Sequence, residues 1–494
     1  MTHPYKPPSS DTPASETPSP PSPSSKPLFN RGFLGLIVAQ FFGAMNDNIL
    51  KVVLTFMVIN GAWAGMLGDG GQGIVSICFT VPFMLLSGFA GQVADRNSKR
   101  SVTVWVKIAE IPIAMLAGLG FYLQSLPITL LALTALTCQS SFFGPAKYGM
   151  IPELVAGKDL SRANGVINML TNVAVILGTV IAGVASDLYA PSPDKIGLLW
   201  LPGALLLTTA VFGLIASIFI SPLQAGDKDL VYAANPFSTY IATIREMSKT
   251  RLLLVMMAWG YFYLLAGIAL FIVPEYTEVL RINHTEASVL MGVLGIAIGL
   301  GCAVAGVISG DRIRPRLTLI GATGLVVMFF LLAAIPPWMP NARPMVRVAL
   351  SNVSLLILLA GFFAGFYIIP LQALLQRLSP DDERGQFLGT ANAVSFAFMT
   401  VAGVLYSTIR PAFGTQPQHI FYVASGLMLV GAAYFVWKLR GTGLLAATSA
   451  GLAADPNAAL NEPDAPDKSN DPAPRDEAVA PATTLDHVAD ASNG

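Results

Sequence analysis

Residues 91–100 read Gly-Gln-Val-Ala-Asp-Arg-Asn-Ser-Lys-Arg and form a charged stretch between two apolar segments. A related stretch in the second half of the chain, Gly-Val-Ile-Ser-Gly-Asp-Arg-Ile-Arg-Pro-Arg, occupies residues 306–316. Each contains Asp-Arg, and in each a further basic residue follows the aspartate five positions later. We call these stretches the first and second elbow. A repeated charged connection between apolar segments is typical of membrane transporters built from two similar halves, so the elbows predict a transport function.

The composition requires a lipid environment. Of 494 residues, 53% are hydrophobic and only 12% are charged, whereas a soluble domain carries about 25% charged residues. The formal net charge of zero gives no indication of a nucleic-acid partner. Cys78, Cys138 and Cys302 lie singly in apolar segments, so we expect neither a metal site nor a disulfide. We also expect no cofactor.

Twelve apolar segments follow one another along the chain, and each has the length of about 20 residues or more that a bilayer requires. A polar connection at residues 222–251 divides them into two sets of six. The sequence therefore predicts an all-α membrane protein with twelve transmembrane helices in two six-helix bundles. The predicted spans are 33–63, 72–93, 102–123, 126–149, 164–187, 197–221, 252–277, 287–308, 317–337, 352–376, 386–409 and 419–440.

Composition also divides the chain into five parts. Residues 1–30 are rich in Pro and Ser and residues 441–494 in Ala, Asp and Pro, so we expect two disordered tails that bury too little apolar surface to fold. The N-terminal bundle is expected over residues 31–221 and the C-terminal bundle over residues 252–440, with the linker 222–251 between them.

Basic residues outside the predicted spans are distributed unequally between the two sides of the membrane. One side carries most of them, together with the linker and both tails. The other side carries only Lys195, Arg281, Arg343, Arg347 and Arg410. Because Lys and Arg accumulate on the cytoplasmic side of membrane proteins, we predict that both termini are cytoplasmic.

With these elbows the chain resembles the major facilitator superfamily, whose twelve helices form two six-helix bundles around a central cavity. The first elbow is similar to the superfamily signature between helices two and three, with Ser98 where a second glycine is usual. The resemblance implies that the aspartate caps a neighbouring helix and pairs with basic residues when the cytoplasmic side is closed. The alternative is that the basic residues only determine topology. The residues with this implied switch role are Gly91, Asp95, Arg96, Arg100, Asp311 and Arg312.

A second resemblance is more specific. Residues 39–48, Ala-Gln-Phe-Phe-Gly-Ala-Met-Asn-Asp-Asn, residues 145–149, Pro-Ala-Lys-Tyr-Gly, and residues 163–165, Ala-Asn-Gly, are similar to the bacterial lysophospholipid transporter family. Members of that family carry lysophospholipids from the outer to the inner leaflet of the bacterial inner membrane, where an acyltransferase restores the missing chain. The resemblance implies the same substrate and the same membrane for this chain.

The sequence indicates that re-acylation takes place on another chain. Glycerophospholipid acyltransferases carry a His-x-x-x-x-Asp pair in which the histidine is the general base, and none of the four histidines here is followed by aspartate at that spacing. We therefore predict that the chain is not an enzyme. We expect lysophospholipid and membrane lipid as its ligands and a separate acyltransferase as its partner. We also expect the protein to be a monomer.

Asp47 lies within the first predicted span, where an acidic side chain costs about 2.5–3.5 kcal/mol to insert and needs a partner or a cavity. Lys51 follows four residues later on the same helical face, so one interpretation is an intrahelical ion pair that neutralises both. The other interpretation places Asp47 in the central cavity, as a ligand for a cationic headgroup or as part of a gating network. We favour the cavity, because Asn46 and Asn48 add polarity that a neutralised pair would not require.

Lys147 and Tyr148 end the fourth predicted span, and Asn164 opens the fifth. A lysine at a helix end commonly reaches out to the membrane interface. The alternative is that Lys147 contacts a phosphate, or forms an ion pair that breaks when the two halves move, with the Tyr148 hydroxyl beside it. Together with Asn46, Asp47 and Lys51, these three residues are the predicted substrate or gating residues.

Three further charged residues lie within the spans. We interpret Lys107 and Glu110, three residues apart, as a structural ion pair. We expect Glu275 to be solvated near the outer end of the seventh span.

Two other functions are compatible with the sequence. A proton-coupled efflux transporter of amphiphilic small molecules would use Asp47 as a proton carrier and move its substrate outward. A membrane scaffold would dock an acyltransferase through the linker or the acidic tail. Inward lipid movement, outward proton-dependent movement and the absence of transport distinguish the three functions.

Deletion of residues 445–494 should leave transport intact, because a tail of this composition contributes no packed structure. The measurement is transport by the truncated chain against the full chain at equal amounts of membrane protein. An inactive truncation would show that the tail is more than a passive extension.

Overall fold

The computed structural model describes residues 27–60, 63, 66–156, 160–189, 197–223, 237–309, 314, 316–379 and 384–440. Every regular element in that part of the chain is helical. The first half contains α1 (Arg31–Asn60), α2 (Gly71–Arg96), α3 (Lys99–Tyr122), α4 (Leu126–Leu154), α5 (Leu160–Tyr189) and α6 (Leu201–Ile218). The second half contains α7 (Ser238–Ser248), α8 (Leu252–Ile272), α9 (Tyr276–Val279), α10 (His284–Ser309), α11 (Arg316–Ala334), α12 (Pro344–Ala349), α13 (Asn352–Leu378), α14 (Arg384–Ile409) and α15 (Ile420–Arg440).

The prediction of twelve spans is confirmed. Among the described residues, twelve helices are long and apolar enough to cross a bilayer. The seventh of these spans runs through α8 into α9. Two short helices lie between spans: α7 within the predicted linker, and α12 between the ninth and tenth spans. The C-terminal tail and residues 1–26 of the N-terminal tail lie outside the described residues.

Each half of the chain forms a bundle with the same helix packing. In the first bundle α1 packs against α5 and α6, α2 against α4, and α3 against α4 and α6. In the second bundle the corresponding helices repeat these pairs: α8 packs against α14 and α15, α10 against α13, and α11 against α13 and α15. The two elbows therefore belong to a duplicated six-helix unit.

The two bundles touch near one side of the membrane and separate toward the other. We call the side on which α2 joins α3 the elbow side, and the opposite side the far side. On the far side α2 packs along α14: the Ser407 hydroxyl donates to the carbonyl of Gly70 at 2.8 Å, and the hydroxyls of Thr80 and Thr400 lie 2.7 Å apart. Nearer the elbow side, a methyl group placed on Gly91 of α2 would meet no atom within 4 Å.

The contacts between α5 and α10 show the same pattern as those between α2 and α14. Near the far side a methyl group placed on Gly183 would lie 2.7 Å from Oγ of Ser288. Nearer the elbow side, methyl groups placed on Gly165 of α5 or Gly299 of α10 would meet nothing within 4 Å. The space between the bundles is therefore closed at the far side and opens on the elbow side.

The first elbow contains less loop than the sequence suggested. Helix α2 continues to Arg96 and α3 begins at Lys99, so only Asn97 and Ser98 connect them. The backbone N–H and the side-chain Nδ2 of Asn97 both donate to the carbonyl of Val93, at 3.1 and 2.9 Å. These two bonds satisfy the last turn of α2 and extend it through the aspartate of the elbow.

We expect the substitution Gly73→Ala to open the far side. The added methyl group would lie 2.2 Å from Oγ of Ser407 and 2.4 Å from the carbonyl oxygen of Gly403, and such overpacking costs roughly 1–3 kcal/mol. The measurement is the rate at which a maleimide added to the far side labels a cysteine placed at the buried Thr80, in a chain without its native cysteines. Labelling should be roughly five- to a hundredfold faster.

The control for this experiment is Gly426→Ala on α15, where the methyl group has no neighbour within 4 Å. In this variant the cysteine at position 80 should be labelled at the same rate as in the parent chain. Equal labelling of the two alanine variants would contradict the close packing of α2 against α14.

Candidate functional site

Three consecutive polar residues of α1, Asn46, Asp47 and Asn48, point to three different parts of the first bundle, because successive helical residues are rotated by about 100°. The side-chain amide of Asn48 donates to α5, to the carbonyl of Val175 at 2.7 Å and to the hydroxyl of Thr179 at 2.5 Å. Asn46 turns in another direction, toward α3 and α6. The two amides fix the rotation of α1 and thereby the direction of Asp47.

A buried ion pair lies behind Asn46. Nζ of Lys107 lies 2.6 Å from Oε2 of Glu110, and both side chains are almost inaccessible to solvent. The amide of Asn46 donates to the other carboxylate oxygen at 2.6 Å, and the Thr209 hydroxyl donates to the Asn46 carbonyl oxygen at 2.8 Å. A glycine at position 43 makes room for the lysine, because a methyl group there would lie 2.5 Å from Nζ. The pair therefore connects α1, α3 and α6.

Asp47 is half-buried and is linked to this ion pair through α4. The hydroxyl of Ser140 lies 3.0 Å from each carboxylate oxygen of Asp47 and 3.1 Å from Oε1 of Gln139. The amide of Gln139 in turn lies 3.4 Å from Oε2 of Glu110. Within the described part of the chain Ser140 is the one hydrogen-bond donor to Asp47. The carboxylate therefore keeps accepting capacity for a ligand.

The alternative of an intrahelical Asp47–Lys51 ion pair does not agree with the structure. Nζ of Lys51 lies 4.9 Å from the ring centroid of Phe79 on α2, and in the described residues no ion pair joins it to Asp47. A cation over an aromatic ring is stabilised by the ring quadrupole, so the contact of Lys51 with Phe79 takes the place of a close ion pair with Asp47.

Lys147 lies seven residues after Ser140, two turns along the same face of α4 and about 10 Å nearer the elbow side. It is 9% exposed, so its side chain does not reach out to the membrane interface, which was the first of the two interpretations of this lysine. Its Nζ lies 4.4 Å from the ring centroid of Tyr148, whose side chain is exposed. Lys147 and Ser140, the residue that donates to Asp47, therefore lie on one face of α4.

The structure does not bring Asn164 into this group. Asn164 is half-buried near the elbow-side end of α5. Thr179, the α5 residue that meets Asn48, lies 15 residues further along the helix (179 − 164), which corresponds to about 22 Å. The sequence therefore placed Asn164 in the right bundle but at a different depth from Asp47.

The first elbow caps a helix within its own bundle. The guanidinium of Arg100 donates to the carbonyls of Ile220 at 2.7 Å and Ile218 at 3.2 Å, at the C-terminal end of α6, where a cation is favoured. Asp95 is exposed and Arg96 is half-buried. Asp311 and Arg312 of the second elbow lie outside the described residues. The switch role implied for the elbows stays a prediction.

Sequence reasoning missed a charged cluster at the far side. Glu275, which we expected to be solvated, is 2% exposed, and Arg410 is 3% exposed. Nε of Arg410 donates to Oε2 of Glu275, and Tyr406 and Gln72 donate to Oε1 of the same carboxylate. A signal was present, since Arg410 is one of few basic residues on that side. Its partner, however, lies 135 positions away in the sequence.

A second contact joins the bundles at the far side. Asp187 at the end of α5 accepts hydrogen bonds from the backbone N–H groups of His284 and Thr285, both at 2.8 Å. These residues begin α10, and a carboxylate at a helix N-terminus is stabilised by the helix dipole. Next to them Glu286 accepts from Arg347 at 2.8 and 2.9 Å, and this bonding raises the pKa of the Arg347 guanidinium.

The fold and the site define a class of protein. Two bundles with the same packing, a polar centre and an opening on one side of the membrane form a transporter of the major facilitator fold. The family model of the Major Facilitator Superfamily matches residues 36–403. Among solved structures, the nucleoside transporter NupG superposes with a TM-score of 0.62 at 12% identity, over 83% of this chain and 99% of that one. A bacterial homologue of the human lysosomal transporter Spinster gives 0.59 at 13% identity, over 84% and 98%.

Sequence relatives narrow the class. The chain is 30% identical over 367 residues to the lysophospholipid transporter LplT of Photorhabdus laumondii, which covers 71% of this chain and 81% of that protein. It is 29% identical over 384 residues to LplT of Pectobacterium carotovorum, covering 75% and 83%. The chain belongs to the lysophospholipid transporter family of the major facilitator superfamily.

We expect Lys107→Met to destabilise the protein strongly. Removing one partner of a buried ion pair leaves the other charge uncompensated, at a cost of about 3–5 kcal/mol. The double variant Lys107→Met/Glu110→Gln should recover part of this loss because it contains no unpaired charge. The measurement is the midpoint of thermal unfolding in detergent.

The matched control is Lys99→Met, because Lys99 pairs with Glu153 at 2.7 Å on a partly exposed surface. Such pairs contribute about 1 kcal/mol or less, so the midpoint should change little. Equal shifts for the Lys107 and Lys99 variants would show that the buried pair is not a structural centre of the bundle.

Proposed function

We propose that this protein moves lysophospholipids from the outer to the inner leaflet of the bacterial inner membrane by alternating access. The membership in the lysophospholipid transporter family supports the substrate. The excess of basic residues on the elbow side supports a cytoplasmic elbow side and cytoplasmic termini. In this assignment the structure is a state that is closed to the outside and open to the cytoplasm.

The observation that carries the proposal is the carboxyl group of Asp47 at the centre together with the buried Lys147 two helical turns nearer the elbow side. Asp47 has a single hydrogen-bond donor, Ser140, and Lys147 is buried with an aromatic ring as its neighbour. A phosphoethanolamine headgroup carries an ammonium and a phosphate. The ammonium fits the carboxylate of Asp47, and the phosphate fits Lys147, which acts as a mobile point charge.

The acyl chain needs an apolar path beside this polar centre. Large apolar side chains are exposed on both α5 and α10, among them Leu177, Leu300 and Val304. A single acyl chain lies against these residues and the surrounding lipid while the headgroup crosses at Asp47. This division gives each part of an amphiphile the environment it prefers.

The delivered lipid then needs a second acyl chain. We propose that a separate acyltransferase supplies it at the cytoplasmic surface and that the transporter itself acts as a monomer without a cofactor.

The test is the movement of labelled lysophosphatidylethanolamine between the leaflets of proteoliposomes without a proton gradient. We expect protein-dependent movement in the wild type and a loss of roughly tenfold or more in Asp47→Asn and in Lys147→Ala, since each removes one charge-assisted contact. Unchanged rates in both variants would contradict the assignment of the site.

Two control variants remove the same kinds of charged side chain at exposed positions away from the candidate site. Lys438→Ala removes an exposed lysine that also lies over an aromatic ring, 5.1 Å from the centroid of Trp437. Glu246→Gln removes an exposed carboxylate on α7. Both should transport at the wild-type rate. No lipid movement above empty liposomes, together with gradient-driven export of a cationic amphiphile, would instead favour the efflux function.

A further inference from the structure

The far-side cluster consists of two charged residues of the second bundle and two residues of the first bundle, Gln72 and Asp69, that contact them. We call Gln72 and Asp69 the cover. Glu275 follows α8 and Arg410 follows α14, so both belong to the second bundle. Nε of Arg410 donates to one oxygen of Glu275, and Tyr406 donates to the other. This ion pair would stay together if the bundles separated, because all three residues move with the second bundle.

The cover comes from the first bundle. Nε2 of Gln72 donates to Oε1 of Glu275 and lies 3.0 Å from the hydroxyl of Tyr406. Oδ2 of Asp69 lies 3.7 Å from Nη1 of Arg410. Opening of the far side must withdraw both Gln72 and Asp69, because α2 moves with the first bundle. The Glu275–Arg410 pair then lies uncovered at the mouth of the transporter.

Arg410 has donor capacity that this state uses incompletely. Its Nε bonds Glu275 and its Nη1 donates to the carbonyl of Gly414 at 2.8 Å. Its Nη2 lies 3.7 Å from Oε2 of the exposed Glu278, which is beyond hydrogen-bond distance. A cavity of about 30 Å³ borders the guanidinium and is lined by Asp69 and Glu278, both largely exposed to solvent. This volume accommodates roughly one or two water molecules.

The two covering groups have the chemistry of a zwitterionic headgroup. Gln72 presents an N–H donor to the carboxylate of Glu275, and Asp69 presents an anion to the guanidinium of Arg410. A phosphoethanolamine group presents the same two functions, an ammonium N–H donor and an anionic phosphate, joined by a short linker. In the closed state the first bundle thus occupies, with its own side chains, the positions that such a headgroup would take.

We infer that the Glu275–Arg410 pair is the first docking site for the headgroup of the incoming lysophospholipid when the far side is open. Arg410 binds the phosphate, for which its planar guanidinium offers paired donors, and Glu275 binds the ammonium. Withdrawal of Gln72 and Asp69 exposes the site, and their return displaces the headgroup toward Asp47. This inference rests on the proposed function and adds a residue pair that selects zwitterionic headgroups.

The test compares lipids and variants in proteoliposomes, with the lipid added to the leaflet at the far side. The substrates are lysophosphatidylethanolamine, with both headgroup charges, and lysophosphatidic acid, which lacks the ammonium. Arg410→Gln should raise the half-saturating concentration of both lipids roughly tenfold, the effect of losing one charge-assisted hydrogen bond. Glu275→Gln should raise it for lysophosphatidylethanolamine and leave it unchanged for lysophosphatidic acid.

Two further variants separate docking from simple closure. Gln72→Leu removes the cover but keeps both charges, so the half-saturating concentration should stay the same or fall. Arg347→Gln removes a far-side arginine that is bonded to Glu286 within the second bundle, and it should leave this concentration unchanged. If Arg410→Gln fails to fold, two other measurements test the docking site. They are the half-saturating concentrations of Arg410→Lys, and whether the effect of Glu275→Gln differs between the two lipids.

The possible failures are distinct. If the wild-type protein moves neither lipid, the proposed function is wrong and the docking site falls with it. A second failure is that the wild type transports, but Arg410→Gln and Glu275→Gln change only the maximal rate. If this change is equal for both lipids and resembles the effect of Gln72→Leu, the pair serves only to close the far side. That result would overturn the docking site while leaving the proposed function in place.

Discussion

The ion pair between Lys107 and Glu110 is the interaction on which the geometry of the first bundle depends. A lysine and a glutamate inside a membrane protein are tolerated only when each compensates the other and the remaining hydrogen-bonding groups find partners. Asn46 satisfies the second carboxylate oxygen, and Gln139 approaches the first. These partners belong to α1 and α4, so the requirement to satisfy one buried pair also fixes the helices that carry Asp47 and Ser140.

The closed far side is held by several modest contacts instead of one strong contact. Gln72 bonds Glu275, Ser407 bonds Gly70, and Asp187 caps α10. A single hydrogen bond contributes about 0.5–1.5 kcal/mol net, so a few of them supply the few kcal/mol that set the populations of two states. Contacts of this size hold the closed state and still allow it to open.

The centre and the far side use related chemistry at different depths. At the centre the carboxyl group of Asp47 accepts from Ser140, and two turns along the same helix as Ser140 the buried Lys147 lies over the ring of Tyr148. At the far side Glu275 and Arg410 form a close pair that the other bundle covers. A zwitterionic headgroup is complementary to both arrangements. In the proposed function these are two consecutive sites, the first exposed when the far side opens and the second when the elbow side opens.

The sequence by itself determined the number and approximate limits of the spans, because a bilayer admits only apolar helices of sufficient length. It also determined the two-half organisation, the family, and the Lys107–Glu110 pair, whose partners are one helical turn apart. Only the tertiary structure decided that Lys51 lies over Phe79, that Lys147 is buried, and that Glu275 meets Arg410. Helices that are apolar on all faces carry little periodic signal for their rotation. Contacts between residues distant in sequence therefore follow from packing, which composition and spacing do not specify.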